Sequence, residues 1–357
     1  MKIKIKTTTL LLSGFAALYT CTAAAQIQVS LNENPFGPAK SVKTAIQQEL
    51  QNIARYTRNE GDELVHRIAQ KEGVDPEQII VGEMLDLLGV TLALKAGPGS
   101  EFIYTVPGYP ALVNGAARVG GKVIEVPLTE HLENDLSGIA AKVNAKTAAV
   151  FLVNPHNPSG TVSDSKAFHK FIHEVSKTAL VIVDEAYLEF ADQYKERTAL
   201  QNIKDGDQVL VFRTFAKAYA LAGLSIGYAI APKGIAKYLK AQGLGSTHDL
   251  NRLSIAAAKA SLADTTYISE VYRQVNQERT LWHKFLEQQH LKHSASQGNF
   301  VFFDAQVPHD KIAGYLQDHG IQTGRQFAPY HTWIRISIGL PEENRKIQDL
   351  LKEFYKQ

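Results

Sequence analysis

Five short apolar runs punctuate the middle of the chain, at residues 101–106, 122–126, 148–153, 179–183 and 208–212. Their length and their Val, Ile and Phe content predict strands, and most are separated by helix-length stretches such as 163–177. Strand–helix alternation of this kind predicts an α/β fold built on a mostly parallel, doubly wound sheet. The pattern changes toward the C-terminus. Helical periodicity at 265–290, 309–318 and 342–355 alternates with short strands at 300–303 and 333–337, which predicts a smaller α+β domain. A helix at 41–52 is expected to join that domain from the N-terminal side. The resulting division is an N-terminal segment 26–57, a large domain 58–258 and a small domain 259–357.

Composition narrows the function classes. The chain has 357 residues, 45% of them hydrophobic and 21% charged, with a formal net charge of +2. These are globular values, and the scattered Lys and Arg form no basic stripe for nucleic acid. A small-molecule partner is expected. Residues 1–25 differ from the rest. Lys2, Lys4 and Lys6 precede an apolar run at 10–19, and Ala23-Ala24-Ala25 precedes Gln26. That order predicts a cleaved signal peptide and a periplasmic or secreted protein, with no membrane attachment after cleavage. Cys21 is the one cysteine, so a cleaved chain would carry no disulfide and no cysteine-based metal site. The 12 histidines show no metal-ligand spacing.

The chemistry gathers just beyond the predicted strands. Asn157 in Asn154-Pro155-His156-Asn157 follows the third run, Asp184 ends the fourth, and Lys217 in Thr214-Phe215-Ala216-Lys217 follows the fifth. Ligands in open α/β sheets collect at the carboxyl ends of strands, so one crevice could hold all three. Amine, carboxylate, phenol and amide together suit pyridoxal 5'-phosphate. Lys217 can form a Schiff base with its aldehyde and then serve as acid and base. Asp184 can keep the pyridine nitrogen protonated. Tyr187 and Asn157 can bond the ring's 3-hydroxyl oxygen, and Thr214 the phosphate. Singly, each residue reads as a solvated loop lysine, a turn aspartate or loop punctuation. Their joint order carries the assignment, and Arg325 is a further candidate to face a substrate side chain.

With these motifs the chain resembles the fold-type I pyridoxal-phosphate aminotransferases of class I/II, and histidinol-phosphate aminotransferases most of all. The resemblance implies a large domain with a seven-stranded, mostly parallel sheet between helices, a smaller α+β domain, and a homodimer. It implies transfer of an amino group between an L-amino acid and a 2-oxo acid. Residues 31–38 are similar to the family's N-terminal segment, which makes Asn34 a substrate-binding candidate. Tyr109 in Pro107-Gly108-Tyr109 takes the place of the aromatic that stacks on the ring. Arg335 in Trp333-Ile334-Arg335 matches the arginine that grips the substrate carboxylate through two parallel bonds. Tyr56 matches the tyrosine that reaches the partner subunit's phosphate.

Two positions depart from the family pattern, both at the phosphate. Ser225 stands where an arginine normally pairs with it, a loss of about 1.5 to 3 kcal/mol, or about one to two decades in affinity. Glu83-Met84-Leu85-Asp86 stands where Gly-Ser-Asp is usual. The backbone amides of Met84, Leu85 and Asp86 can still cradle an anion, and Glu83 is expected to face away from it. Gly223-Leu224-Ser225-Ile226-Gly227 also matches a hydrolase nucleophile elbow, which requires a strand before it and a helix after it. An exported amino-acid racemase and a non-catalytic binding protein on the same fold are the alternatives to transamination.

Overall fold

The computed structural model describes residues 26–356, so the expected signal at 1–25 lies outside the described residues. The strands among them are β1 (Ile27–Val29), β2 (Ile79–Val81), β3 (Glu101–Val106), β4 (Lys122–Pro127), β5 (Thr147–Val153), β6 (Leu180–Asp184), β7 (Val209–Thr214), β8 (Gly227–Ile230), β9 (Phe300–Asp304), β10 (Ile321–Thr323) and β11 (Trp333–Ser337). Seven form one sheet in the order β2-β8-β7-β6-β5-β3-β4. β4, β3, β5, β6 and β7 are parallel, and β8 is antiparallel to both β7 and β2. Only a 3₁₀ turn (Ala222–Leu224) separates β7 from β8. Without a crossover helix the chain returns in the opposite direction.

Alternate side chains serve opposite faces of this sheet. Val150, Leu152, Val181, Val183, Val209 and Val211 enter one apolar core. Phe151, Val153, Ile182, Leu210 and Phe212 enter the other, with helices Leu85–Ala96 and Ala111–Arg118. Burial on both faces explains why the strand runs read as continuously apolar. Each fully buried side chain such as Phe151 contributes about 1.5–3 kcal/mol.

A third core, containing Trp282, Phe300, Phe303, Ile334 and Ile336, belongs to the smaller layer of β9 and β11 with helices Thr265–Gln288 and Pro341–Phe354. Two expectations about this layer need correction. The helix at Lys40–Glu49 does not join it: Ala39 and Val42 pack in the large core alongside Ile255 and Ala258. It is β1, paired with β10, that carries the N-terminal segment into the small layer. The boundary at 258 falls inside helix Arg252–Ala263, and Asp264 separates that helix from Thr265–Gln288. The second difference arises because the helix ends near the boundary are marked by Asn251 and Asp264 caps rather than by Gly or Pro.

Candidate active site

The register of the central strands assembles the site. Val153 on β5 lies beside Asp184 on β6, and Asp184 lies beside Phe212 on β7. These carboxyl ends, with the loop that follows β7, line a cavity of about 300 Å³ whose wall includes Glu83, Leu85, Tyr109, Asn157, Asp184, Tyr187, Thr214, Lys217 and Ser225. Asp184 and Lys217 therefore face one space. An adjoining cavity of about 780 Å³ shares Tyr109, Asn157, Tyr187 and Lys217 and adds Asn32, Arg325, Phe327 and Arg335.

Asp184 is buried, and among the described residues its carboxylate accepts one hydrogen bond, from the Ala186 N–H at 3.0 Å. Burial pushes its carboxyl up to about 7; the negative charge of Glu83 adds to this, and the Ala186 N–H and Lys217 oppose it. A carboxylate this poorly paired fits a cationic ring nitrogen. Lys217 Nζ donates to the Leu31 carbonyl at 2.8 Å and lies 5.7 Å from the Tyr187 ring centre. Tyr187 Oη accepts from Asn157 Nδ2 at 3.3 Å and from Asn32 Nδ2 at 3.2 Å. Asn157 Oδ1 in turn accepts from Arg335 Nη1, and Arg335 Nη2 donates to the Ser30 carbonyl at 2.7 Å. The guanidinium is buried, and its Nε has no partner among the described residues. Burial lowers its pKa, and an incoming anion would relieve that cost.

Helix Leu85–Ala96 begins at the cavity wall, and its N-cap Met84 makes no side-chain capping bond. The first-turn amides of such a helix lack intrahelical partners and suit an anion. Backbone contact with helix Ala111–Arg118 fixes the position of this start. A Cβ on Gly89 would sit 1.9 Å from the Leu112 carbonyl oxygen, and one on Gly115 2.1 Å from that of Asp86. Asp86 sends its carboxylate to Arg118, so it offers the site backbone alone.

Several expected residues are placed differently. Glu83, expected to face away, lines the cavity, and its Oε1 accepts from Thr214 Oγ1 at 2.7 Å. The cause is local: Gly82 has a φ of +129°, and Gly227, lacking a side chain, leaves room for the carboxyl. Asn34 is not a wall of either cavity around Lys217. Its Nδ2 bonds the Ala218 carbonyl at 2.8 Å and Tyr267 Oη at 3.1 Å, while its Oδ1 accepts from the Phe36 N–H. Asn32, two residues earlier, takes the place beside Tyr187, and its φ of +55° is one that Asn tolerates. Arg325 is exposed at the outer cavity and stacks 4.3 Å from the Phe327 ring centre. Tyr56 is 96% exposed and lines neither cavity of its own chain, its carbonyl held by Arg252 Nη2 at 2.6 Å. Ser225 has a φ of +45°, with a 3₁₀ turn before it and β8 after it. That order is the reverse of the hydrolase elbow, so the elbow reading fails.

The donor set fits pyridoxal 5'-phosphate at three points: an amine for the aldehyde, an underpaired carboxyl for the ring nitrogen, and an uncapped helix start for the phosphate. Comparison with known proteins agrees. The model of the aminotransferase class I and II family matches residues 24–348. A histidinol-phosphate aminotransferase of Limosilactobacillus fermentum is 33% identical over 337 residues, covering 92% of this chain and 91% of that one. Among solved structures, a putative histidinol-phosphate aminotransferase from Erwinia carotovora atroseptica aligns with a TM-score of 0.86 at 29% identity, over 93% of this chain and 96% of that one. The histidinol-phosphate aminotransferase of Sinorhizobium meliloti, solved in complex with pyridoxal-5'-phosphate, aligns at 0.82 with 30% identity over 92% of each chain.

Proposed function

The chain belongs to the class I and II aminotransferase family, and from that premise we propose that Lys217, Asp184, Asn157, Tyr187 and Arg335 carry amino-group transfer between an L-amino acid or related amine and a 2-oxo acid. The observation that carries this proposal is the shared cavity of Lys217 and Asp184 at the carboxyl ends of β6 and β7. Pyridoxal phosphate, when bound, supplies an electron-withdrawing ring that accepts the charge left at the substrate's α-carbon.

The chain's own residues do the rest. Asp184 holds the proton on the ring nitrogen, a role supported by its burial and single backbone partner. Lys217 Nζ, freed from the Leu31 carbonyl, would take the proton from the substrate α-carbon and pass it to the carbon that carried the cofactor aldehyde. Arg335 binds and orients the substrate carboxylate through its fork. Tyr187 Oη already accepts two amide hydrogens, so its own proton is available to the ring's phenolic oxygen. Tyr109 would cover the ring. Thr214, Ser225 and the backbone of Met84, Leu85 and Asp86 would hold the phosphate.

Tyr56 completes the phosphate site of a second copy in a homodimer, a role supported by its exposure and by the Arg252 clamp on its backbone. Export through the signal at 1–25 stands beside this; its support is the charged, apolar and small-residue order there. The racemase alternative finds no support in the relatives. The test is incubation with a panel of L-amino acids, with and without 2-oxoglutarate, followed by chiral analysis. Amino-group transfer that requires the oxo acid is expected, and a D-enantiomer formed without it would overturn the proposal.

A further inference from the structure

The wall of the inner cavity carries, among the described residues, two carboxylates, Glu83 and Asp184, and one cation, Lys217. That balance is unusual for a site meant to hold a phosphate. Glu83 sits immediately before the uncapped start of helix Leu85–Ala96 and is tied to Thr214 Oγ1 at 2.7 Å. A hydroxyl has a single hydrogen to give. If Thr214 turns it toward a phosphate oxygen, Glu83, at the accessible rim of the cavity, loses its donor and two anions face each other there. If Thr214 keeps it on Glu83, the phosphate loses a ligand. A proton on Glu83 removes the conflict, because the carboxyl then donates one bond itself.

Resting on the reading of the site as a pyridoxal-phosphate site, we propose that Glu83 is a direct ligand of the cofactor phosphate and shares a proton with it, so that cofactor binding takes up one proton from solvent. The proton lies between a Glu83 Oε and a phosphate oxygen, and no other bond is made or broken. The surroundings favour this. Burial raises the Glu83 carboxyl, while Thr214 and Lys217 pull it back. Asp86 is neutralised by Arg118, Tyr109 and Ser225 bring no charge, and Asp184 opposes a second anion. Above the titration range of a phosphate monoester, about pH 6, both partners enter as anions unless a proton comes with them.

The experiment uses the apoprotein and pyridoxamine 5'-phosphate, which cannot bond covalently to Lys217, with unphosphorylated pyridoxamine as the reference. Affinity for the phosphate form is expected to fall about tenfold per pH unit between about pH 7.5 and about pH 9, and affinity for pyridoxamine to lack that added slope. Calorimetry in two buffers of different ionisation enthalpy should show about one more proton taken up by the phosphate form. Glu83→Gln should abolish the difference and bind the phosphate form more tightly at the upper pH. In ³¹P NMR the bound phosphate resonance should titrate in the wild type and stay fixed in Glu83→Gln. Equal slopes for the two ligands, or a slope that survives Glu83→Gln, would overturn the proposal while leaving the cofactor assignment intact. If Glu83→Gln does not fold, the wild-type comparison of the two ligands still decides. Binding of neither ligand at any pH would overturn both readings.

Discussion

Asp184 and Glu185 are neighbours in sequence, both are buried, and they live in opposite worlds. Asp184 faces the cavity with one backbone N–H for company. Glu185 faces the other side of the sheet and accepts from Thr198 Oγ1, from the Ala199 N–H and twice from Arg213. The same split recurs on β7, where Phe212 and Thr214 line the cavity while Arg213 between them bridges Glu185 and, at 2.6 Å, Glu72. Burial alone would raise Glu72, yet Arg213 and Lys71 bring its carboxyl down to about 2. One face is saturated and holds the fold. The other is left unsatisfied, and only a ligand completes it.

That contrast can be broken first at Lys217. Lys217→Ala should lower the transfer rate by about 10⁴-fold and remove the visible absorption band of the bound cofactor. Its stability cost should stay within about 1 kcal/mol, because the one bond lost is to the carbonyl of Leu31, an exposed residue. A Lys217→Ala protein that kept its rate would refute the site.

Arg213→Met tests the opposite face. It leaves Glu185 buried with neutral donors alone and Glu72 with Lys71 as its one cation, and should cost about 3–5 kcal/mol in urea unfolding. The activity of the protein that remains folded should change little, and a selective loss of rate would erase the division between the faces.

The finest test is Asp184→Asn in the apoprotein. The wild-type carboxyl is raised in the folded state, so its stabilising contribution is complete below the unfolded carboxylate range and is lost as pH rises through about 7. Asn does not titrate. Its advantage over the wild type should therefore grow from about pH 5 to about pH 8, reaching the order of 2 kcal/mol. Thermal melts giving the same difference at both pH values would show that Asp184 is not strained in the empty site.

Sequence made the saturated frame visible only in outline and the unsatisfied site in some detail. β3 and β11 fall at their expected bounds, because each is a β-branched and aromatic run too short for a helix and flanked by turn residues. β1, β2 and β10, three residues each, are too short to show a period and exist through their partners. Lys217, Asp184, Asn157 and Tyr187 were legible because each trails a strand. The inward turn of Glu83 was not, since it depends on the backbone of Gly82 and on the space above Gly227. Asn32 and Asn34 are separated by one residue and meet different phenols, Tyr187 and Tyr267. The Glu72–Arg213 pair joins residues 141 positions apart, a distance at which local pattern carries no signal.

The alternation of side chains along β7 makes this strand its own proofreader. A slip of one residue against β6 would thrust the Arg213 guanidinium into the cofactor chamber and deliver Phe212 or Thr214 to the carboxylates that need it. Neither half of such a misaligned protein could compensate the other. An insertion or deletion within this strand would therefore forfeit scaffold and chemistry together.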